Sequence, residues 1–295
     1  MDNVLVIGAG YMGEGITQVV AQAGYKVYLQ DVNPKALEHA LAQIKWSTDK
    51  LAGKGKIKES AKAVQDRIIP VKDLSIAPKC QWVIEVVYDD EKMKKELFQS
   101  LDAVCPVETI LASNTGTIPI SRLGLLSKHP ERIVGLHFFG PVPMMRLVEV
   151  IKADKTSDAV FNKTVEFAYS IDKDPVKVMR DIPAFALNRV YGSAIHEALR
   201  LVEEGIASPE DIDKGMRLGF GWNIGPFEIA DNSGLDSHMR GGQALEAVGA
   251  GNISGNSKLM EKMVAAGRLG RKVGKGFYDY TPDGKKTPFD VTTLK

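Results

Sequence analysis

A histidine and a glutamate stand where they could form an acid–base pair. His137 follows the apolar run 132–136, and Glu149 lies twelve residues further on, inside the apolar run Leu147–Ile151. Prolines between the two runs favour a turn, so the side chains could meet across adjacent strands. An imidazole titrates near neutral pH, and a neighbouring carboxylate would orient the ring and stabilise its protonated form. A packed core histidine beside an edge glutamate fits the spacing equally well, and both interpretations stay open.

A glycine-rich loop near the start of the chain could hold a dinucleotide. Gly8, Gly10 and Gly13 form the pattern GxGxxG directly after the apolar run Asn3–Ile7. The first glycine permits a tight turn, the second lets the backbone approach a pyrophosphate, and the third lets a helix pack on a strand. Asp31 ends the next β-rich run, where its carboxylate would bind the adenosine ribose hydroxyls and repel a 2′-phosphate. The pattern predicts NAD rather than NADP; the alternative is an unrelated glycine turn with a capping aspartate.

A cluster of lysines follows the second β-rich run, with few acids among them. In a chain of net charge +1, such a local concentration could face the phosphates of a substrate. A solvated helix face is the commoner meaning of such a run. The six lysines are Lys45, Lys50, Lys54, Lys56, Lys58 and Lys62.

The composition is that of an ordinary globular protein. The chain has 295 residues, 44% of them hydrophobic, and 38 Lys and Arg nearly balance 37 Asp and Glu. This balance argues against nucleic acid or a membrane surface bound through bulk charge, and no apolar stretch reaches the roughly 18–20 residues of a membrane span. Cys80 and Cys105 stand alone, which suits a reducing cytosol. We expect a cytoplasmic protein without a metal, since no histidines and acids have ligand spacing.

β-rich and helical stretches alternate through the first half of the chain. The β-rich runs carry Val, Ile and Leu with little alternation, as strands buried on both faces do. Alternating strands and helices predict an α/β protein with a parallel, doubly wound sheet of the Rossmann type. The predicted strands are Asn3–Ile7, Lys26–Gln30, 82–87, 109–112, 132–136 and Leu147–Ile151, and the predicted helices include 13–23, 34–50 and 91–102.

The pattern becomes helical from about residue 183 onward. The stretch 184–204 is amphipathic, and Ser208-Pro209 followed by acids is typical of a helix N-terminus. Further helices are expected at 226–232, 235–248 and 256–267, with no clear strand before 276–280 and a polar, frayed tail after 281. We therefore predict a dinucleotide-binding domain over 1–182 and an all-helical C-terminal domain over 183–295.

Several long motifs, in the right order, resemble those of the short-chain L-3-hydroxyacyl-CoA dehydrogenase family, which includes bacterial 3-hydroxybutyryl-CoA dehydrogenases. The likeness covers residues 1 to about 280 and is far more specific than the glycine loop. The motifs are Ser113-Asn114-Thr115, Gly135-Leu136-His137-Phe138-Phe139, Pro141-Val142-Pro143, Leu147-Val148-Glu149-Val150, Leu187-Asn188-Arg189, Gly225-Pro226-Phe227-Glu228 and the run 270–278, GRKVGKGFY.

The resemblance implies the reversible, NAD-dependent oxidation of a 3-hydroxyacyl-CoA to a 3-ketoacyl-CoA. It implies that His137 and Glu149 are the catalytic pair, with Asn188 near the reacting oxygen. It also implies that Ser47 and Lys54 contact coenzyme A, and that the helical domain forms a homodimer. The residues that match family positions near the cofactor are Asp89, Lys94, Asn114 and Lys272.

Two glycines depart from the family pattern. Gly116 stands where the family usually has Ser, and Gly140 stands where it usually has Asn. Both family side chains are polar and close to the chemistry, so we hypothesise that the pocket takes a bulkier acyl group in the space that the glycines open. Neutral drift is the alternative for the glycines. For the whole chain, the alternatives are a dehydrogenase of a small hydroxy acid without CoA and a catalytically weak NAD-binding protein.

Overall fold

A computed structural model of the chain describes residues 2–247 and 249–294. The described chain divides into two units, one that ends at Ile182 and one that begins at Pro183. Each unit has an apolar core of its own.

One sheet of eight strands forms the frame of the first unit. Its strands are β1 (Asn3–Ile7), β2 (Lys26–Gln30), β3 (Ile68–Val71), β4 (Trp82–Glu85), β5 (Ile110–Ser113), β6 (Ile133–Phe138), β7 (Leu147–Ile151) and β8 (Asp174–Val178). They lie in the order β3-β2-β1-β4-β5-β6-β7-β8. All neighbours pair in parallel except β6 and β7, which are antiparallel. The predicted doubly wound sheet is confirmed, with its last two strands reversed.

Helices flank the sheet because its apolar side chains must be covered on both faces. They are α1 (Tyr11–Gln22), α2 (Pro34–Gly53), α3 (Ala61–Gln65), α4 (Glu91–Val104), α5 (Ile120–Leu123) and α6 (Asp158–Ser170). The side chains of Asn33, Asp90 and Ser157 accept hydrogen bonds from first-turn amides and so begin α2, α4 and α6. In the part of the chain that the structure describes, no helix is long and apolar enough to cross a membrane.

The two outer strands of the sheet, β3 and β8, were absent from the sequence prediction. Each contains a proline, Pro70 in β3 and Pro175 in β8. An edge strand tolerates proline because one of its sides has no ladder partner, yet proline makes the strand hard to recognise in the sequence. The reversal at β7 follows from the connection 139–146, which is shorter than the roughly dozen residues that a parallel crossover needs.

Helices dominate the second unit, and a β-hairpin joins them. The helices are α7 (Leu187–Glu203), α8 (Pro209–Phe220), α9 (Pro226–Ser233), α10 (Leu235–Ala247) and α11 (Lys258–Ala265). β9 (Tyr278–Tyr280) pairs antiparallel with β10 (Lys286–Pro288). The segment after residue 281 is polar and exposed, as expected, but the expectation that it is frayed is wrong, because the chain returns as a strand. Beyond that strand, Phe289, Val291 and Leu294 pack on the core of the unit.

The long helix α7 begins later than its amphipathic pattern suggests. Ala184 and Phe185 have positive φ angles of 61° and 53°, a left-handed conformation that a right-handed helix cannot include. Both side chains are buried, so the apolar pattern continues through residues that belong to the core but not to the helix. The helix begins at Leu187, and Asn188 falls in its first turn.

Candidate active site

The antiparallel pairing of β6 with β7 sets His137 directly opposite Glu149. The imidazole Nδ1 lies 2.8 Å from the carboxylate Oε2. Glu149 is 0% exposed and His137 is 8% exposed, so little water can compete for the hydrogen bond. A buried carboxylate needs such a partner, because burying it unpaired is costly. The two side chains that the spacing could bring together are therefore in contact.

The hydrogen bond decides which ring nitrogen could act on a bound molecule. A carboxylate only accepts, so Nδ1 of His137 donates, and in the neutral ring Nε2 then carries the lone pair. Phe139 packs against the imidazole with ring centroids 4.6 Å apart and further restricts its orientation. An imidazole fixed in this way can act as a general base through Nε2 and, once protonated, as a general acid.

A buried lysine holds the turn between β6 and β7. Nζ of Lys173 donates to the carbonyl oxygens of Val142 and Met145, at 2.6 Å and 2.7 Å. Lys173 is 4% exposed, and its burial lowers the pKa of the ammonium group. The sequence analysis missed Lys173, because a single lysine between a helix and an edge strand forms no recognisable pattern.

The glycine loop has the shape that a pyrophosphate requires. Gly8 has a φ of 111°, and a Cβ there would lie 2.6 Å from the carbonyl oxygen of Val86. A Cβ on Gly13 would lie 1.9 Å from the carbonyl oxygen of Gly8. Gly10 differs, because nothing lies within 4 Å of its Cβ position. This open space beside the N-terminus of α1 fits a phosphate that approaches the backbone.

Asp31 follows β2 and ties the glycine loop to it. Its Oδ2 accepts a hydrogen bond from the amide of Ala9 at 2.7 Å, and its Oδ1 accepts one from the amide of Asn33 at 2.8 Å. Each carboxylate oxygen has a second lone pair. Asp31 can therefore shape the loop and still accept hydrogen bonds from ribose hydroxyls.

Glu85 ends β4 as a buried hydrogen-bond acceptor. Its carboxylate accepts from Nζ of Lys94 at 2.5 Å, from the hydroxyl of Ser113 at 2.6 Å and from the amide of Val87 at 2.7 Å. Burial raises the pKa of Glu85, and the ammonium of Lys94 opposes that shift. Lys94 also lies 3.1 Å from the carboxylate of Asp89. Lys94 therefore contacts both Asp89, which was also predicted to lie near the cofactor, and Glu85, which the sequence analysis did not single out.

Asn114 connects this cluster to the histidine strand. Its Oδ1 accepts a hydrogen bond from the amide of Phe138, next to His137, at 2.8 Å. Its own amide donates to the carbonyl oxygen of Glu85 at 2.9 Å. The carboxyl ends of β4, β5 and β6 therefore meet where doubly wound sheets bind ligands. Within residues 2–247 and 249–294, no three His, Cys, Asp or Glu side chains group as metal ligands.

A cleft of about 960 Å³ opens in the first unit beside the end of α2. Ser47, on α2, and Lys54, directly after it, both line the cleft. The lysine cluster divides between two environments. Lys45 and Lys62 make surface ion pairs with Asp49 and Asp66 at 2.7 Å and 2.8 Å. The other four lysines of the cluster, Lys50, Lys54, Lys56 and Lys58, line the cleft, and so does Lys173 from outside the cluster.

Two of the predicted residues belong to the second unit. Asn188 lies in the first turn of α7. Lys272 lies in a short 3-10 turn, where its ammonium group pairs with the carboxylate of Asp236. The roles that the resemblance implies for Asn188 and Lys272 stay predictions.

The sheet and the loop at its edge define a class of protein. A doubly wound sheet with GxGxxG leading from β1 into α1 and an aspartate after β2 is that of a dinucleotide-binding dehydrogenase. The NAD-binding domain of 3-hydroxyacyl-CoA dehydrogenase matches residues 3–182, and the C-terminal domain of 3-hydroxyacyl-CoA dehydrogenase matches residues 185–280. The chain belongs to the 3-hydroxyacyl-CoA dehydrogenase family, and it is an NAD-dependent oxidoreductase.

Similar proteins match the chain along nearly its whole length. A probable 3-hydroxybutyryl-CoA dehydrogenase of Bacillus subtilis is 41% identical over 284 residues, which cover 94% of this chain and 97% of that protein. The crystal structure of M. tuberculosis FadB2 has a TM-score of 0.89 at 35% identity and covers 95% of this chain and 99% of its own. The (S)-3-hydroxybutyryl-CoA dehydrogenase of Ralstonia eutropha has a TM-score of 0.86 at 36% identity, with the same coverage of 95% and 99%.

Replacing Lys94 by Met should strongly destabilise the first unit. The change leaves the Glu85 carboxylate buried without its cation, and breaking a buried pair in this way costs about 3–5 kcal/mol of unfolding free energy. Adding Glu85→Gln removes the stranded charge, so the double variant should recover part of the loss. Urea unfolding followed by circular dichroism measures both effects. The control is Lys62→Met, which breaks an exposed pair; equal losses for Lys62→Met and Lys94→Met would contradict the expectation.

Proposed function

We propose that this enzyme interconverts an L-3-hydroxyacyl-CoA and the corresponding 3-ketoacyl-CoA, with NAD as the hydride acceptor. The contact between His137 and Glu149 carries the proposal, because it supplies an oriented acid–base group where the parallel strands end. The glycine loop and the lysine-lined cleft of the same unit support it, since the reaction needs a dinucleotide and a phosphate-bearing substrate.

His137 performs the proton transfer in this proposal. In the oxidative direction, Nε2 takes the proton of the 3-hydroxyl as the C3–H bond breaks, and Glu149 stabilises the imidazolium through Nδ1. NAD, when bound, supplies the acceptor for the hydride from C3, and the reduced form returns it. In the reductive direction, the imidazolium gives its Nε2 proton to the oxygen as the carbonyl becomes an alcohol. We assign Asn188 to that oxygen, which its side-chain amide could hold.

The carboxyl edge of the sheet is the place that we assign to the cofactor. Gly10 leaves room for the pyrophosphate, Gly8 and Gly13 keep the loop tight, and Asp31 takes the adenosine ribose. Lys94 is fully buried, so it would act by holding Asp89 rather than by touching the cofactor. The residues assigned to the remaining part of the cofactor are Asp89, Asn114 and Lys272.

The cleft beside α2 is the place that we assign to coenzyme A. Ser47 offers a hydroxyl, and Lys54 offers a cation for the phosphates of the CoA handle. Four further lysines line the same cleft against three acids, Glu14, Glu59 and Asp172, so cations are in excess there although the chain as a whole carries a net charge of only +1. A small hydroxy acid would have no use for this surface.

We also propose that the acyl group is bulkier than a four-carbon chain. Gly116 lacks the polar side chain that the family usually has there. An interaction made in the transition state contributes about 1–3 kcal/mol, or roughly 5- to 150-fold in rate, so an efficient enzyme must replace it. A branched, cyclic or polar acyl group could supply the missing contacts; neutral drift remains the competing account.

Variants of the acid–base pair test the catalytic step. His137→Ala should lower kcat by roughly 10²- to 10⁴-fold, the usual contribution of a general acid or base, with NADH binding little changed. Glu149→Gln should lower kcat less, because glutamine can still orient the ring although it brings no charge to stabilise the imidazolium. Steady-state kinetics and NADH fluorescence titration measure these effects.

A matched surface pair provides the control for that experiment. His129 and Glu131 also lie in contact, at 3.3 Å, but both side chains are exposed. His129→Ala and Glu131→Gln should leave kcat unchanged. An unchanged kcat in Glu149→Gln would separate Glu149 from the mechanism.

The substrate class is tested by NADH oxidation with 3-ketoacyl-CoAs and with the matching free 3-keto acids. We expect turnover of the thioesters only. Lys54→Gln should raise KM for the thioester by roughly 5- to 30-fold, as loss of a charge-assisted hydrogen bond does, whereas Lys45→Gln, outside the cleft, should not. Turnover of the free acids with no effect of Lys54→Gln would favour a substrate without CoA. No turnover of either would favour a catalytically weak NAD-binding protein.

The same panel tests the size of the acyl group. Gly116→Ser should raise kcat/KM on acetoacetyl-CoA and lower it on a branched or longer 3-ketoacyl-CoA. An unaltered enzyme that already reduces acetoacetyl-CoA rapidly, and gains nothing from Gly116→Ser, would leave neutral drift as the better account.

We further propose a homodimer formed through the second unit. Leu218 and Phe220, at the end of α8, are large apolar side chains that are 79% and 77% exposed, and a partner surface would remove them from water. Phe220→Glu should therefore weaken the dimer, and size-exclusion chromatography with light scattering should show monomer. Leu125→Glu, an exposed apolar position of the first unit, is the control. A native protein that is monomeric at micromolar concentration would contradict the proposal.

A cytoplasmic location is also our proposal. Cys80 and Cys105 are buried free thiols, and burial raises the pKa of both. Unreactive, unpaired thiols suit a reducing compartment.

A further inference from the structure

Gly140 lies against a tyrosine from another segment of the chain. A Cβ built on Gly140 would lie 2.8 Å from Cε1 of Tyr11 and 3.3 Å from its hydroxyl oxygen. The sulfur of Met12 would be 3.4 Å away. The space beside Gly140 is therefore filled by Tyr11, and the expectation that this glycine opens room for a bulkier acyl group is wrong at this position.

A second glycine explains why the tyrosine reaches the turn. Gly15 lies in α1 one helical turn after Tyr11, and a Cβ there would lie 2.8 Å from Cβ of Val142. α1 can pack this closely on the turn after β6 only because residue 15 has no side chain. The closeness of Tyr11 to Gly140 is thus fixed by helix packing and not only by the rotamer of an exposed ring.

Tyr11 also lies on the wall of the cleft. The cleft is lined at α2 by Ser47 and Lys54 and at the turn by Pro141, Val142 and Pro143. His137 precedes this turn, three residues before Gly140. Tyr11, which is 61% exposed, therefore lies in the cleft lining together with the turn that follows the histidine strand.

We propose that Tyr11 is a specificity-determining residue, whose hydroxyl hydrogen-bonds the acyl-thioester part of the substrate in place of a side chain at position 140. This inference rests on the proposed function. Partial burial and the neighbouring Glu14 carboxylate raise the pKa of Tyr11, so the phenol stays protonated at neutral pH and can donate. The ring limits the width of the cleft, while the hydroxyl supplies the polarity that Gly140 lacks.

Tyr11→Phe removes the hydroxyl and keeps the ring. With the 3-ketoacyl-CoA that the unaltered enzyme reduces best, kcat/KM should fall by about 5- to 30-fold, as for a hydrogen bond of about 1–2 kcal/mol. The dissociation constant of NADH should stay within about twofold, because the hydroxyl contacts substrate and not cofactor. Tyr169→Phe, at an exposed tyrosine on α6 outside the cleft, should change neither quantity.

A double-mutant cycle tests the pairing of positions 11 and 140. Gly140→Asn alone should lower kcat/KM, because its side chain must displace the tyrosine ring. Combined with Tyr11→Ala, the asparagine has room, and the double variant should be more active than Gly140→Asn alone. Additive effects of the two changes would overturn the pairing, since residues in contact are expected to be non-additive.

The outcomes separate the two proposals. If the unaltered enzyme reduces no 3-ketoacyl-CoA, the proposed function fails. If it does, and Tyr11→Phe keeps kcat/KM within twofold, the role of Tyr11 fails while the function stands. Thermal melting of every variant shows whether it is folded. If Gly140→Asn does not fold, kcat/KM of Tyr11→Phe still tests the role of Tyr11, because that variant loses only an exposed hydroxyl.

Discussion

The register between β6 and β7 is the constraint on which the candidate site depends. Side chains alternate between the faces of a strand, so a slip by one residue would carry Glu149 to the face opposite His137. β7 is held on both sides, by β6 and by β8. Lys173 fastens the turn through two carbonyl oxygens. If β7 were an edge strand, only its pairing with β6 would fix its register. Pairing with β8 fixes the register from the other side as well.

The buried charges at the carboxyl edge of the sheet form an ion pair. Glu85 and Lys94 are both fully buried, and the hydroxyl of Ser113 adds a further donor to the carboxylate. Asn114 then joins the end of β4 to the end of β6, through one hydrogen bond to each. The strand that carries the histidine is thereby fixed to the edge assigned to the dinucleotide. Such supporting contacts keep reacting groups in place, as a pre-organised site requires.

The sequence allowed prediction of features that arise within one segment or at a regular period. The glycine loop, Asp31 and the central strands can be predicted from local sequence patterns. The spacing of His137 and Glu149 allowed two interpretations, and their contact was one of them. Lys173 and Glu85 were not predicted, because each hydrogen-bonds to residues that are distant in the chain. The strands β3 and β8 were not predicted, because proline is typical of loops and is tolerated in a strand only at the edge of a sheet.

At Gly140, the space that a side chain would occupy is filled by a residue from another element. In the sequence, a glycine in place of a polar residue indicates an opening, but the space beside it belongs to whatever segment packs there. Gly15 lets α1 close on the turn, and Tyr11 brings a ring and a hydroxyl to the place that a side chain at position 140 would take. Tyr11 lies inside GxGxxG, between Gly10 and Gly13. One short loop therefore contributes both to the edge assigned to the cofactor and to the cleft assigned to the substrate.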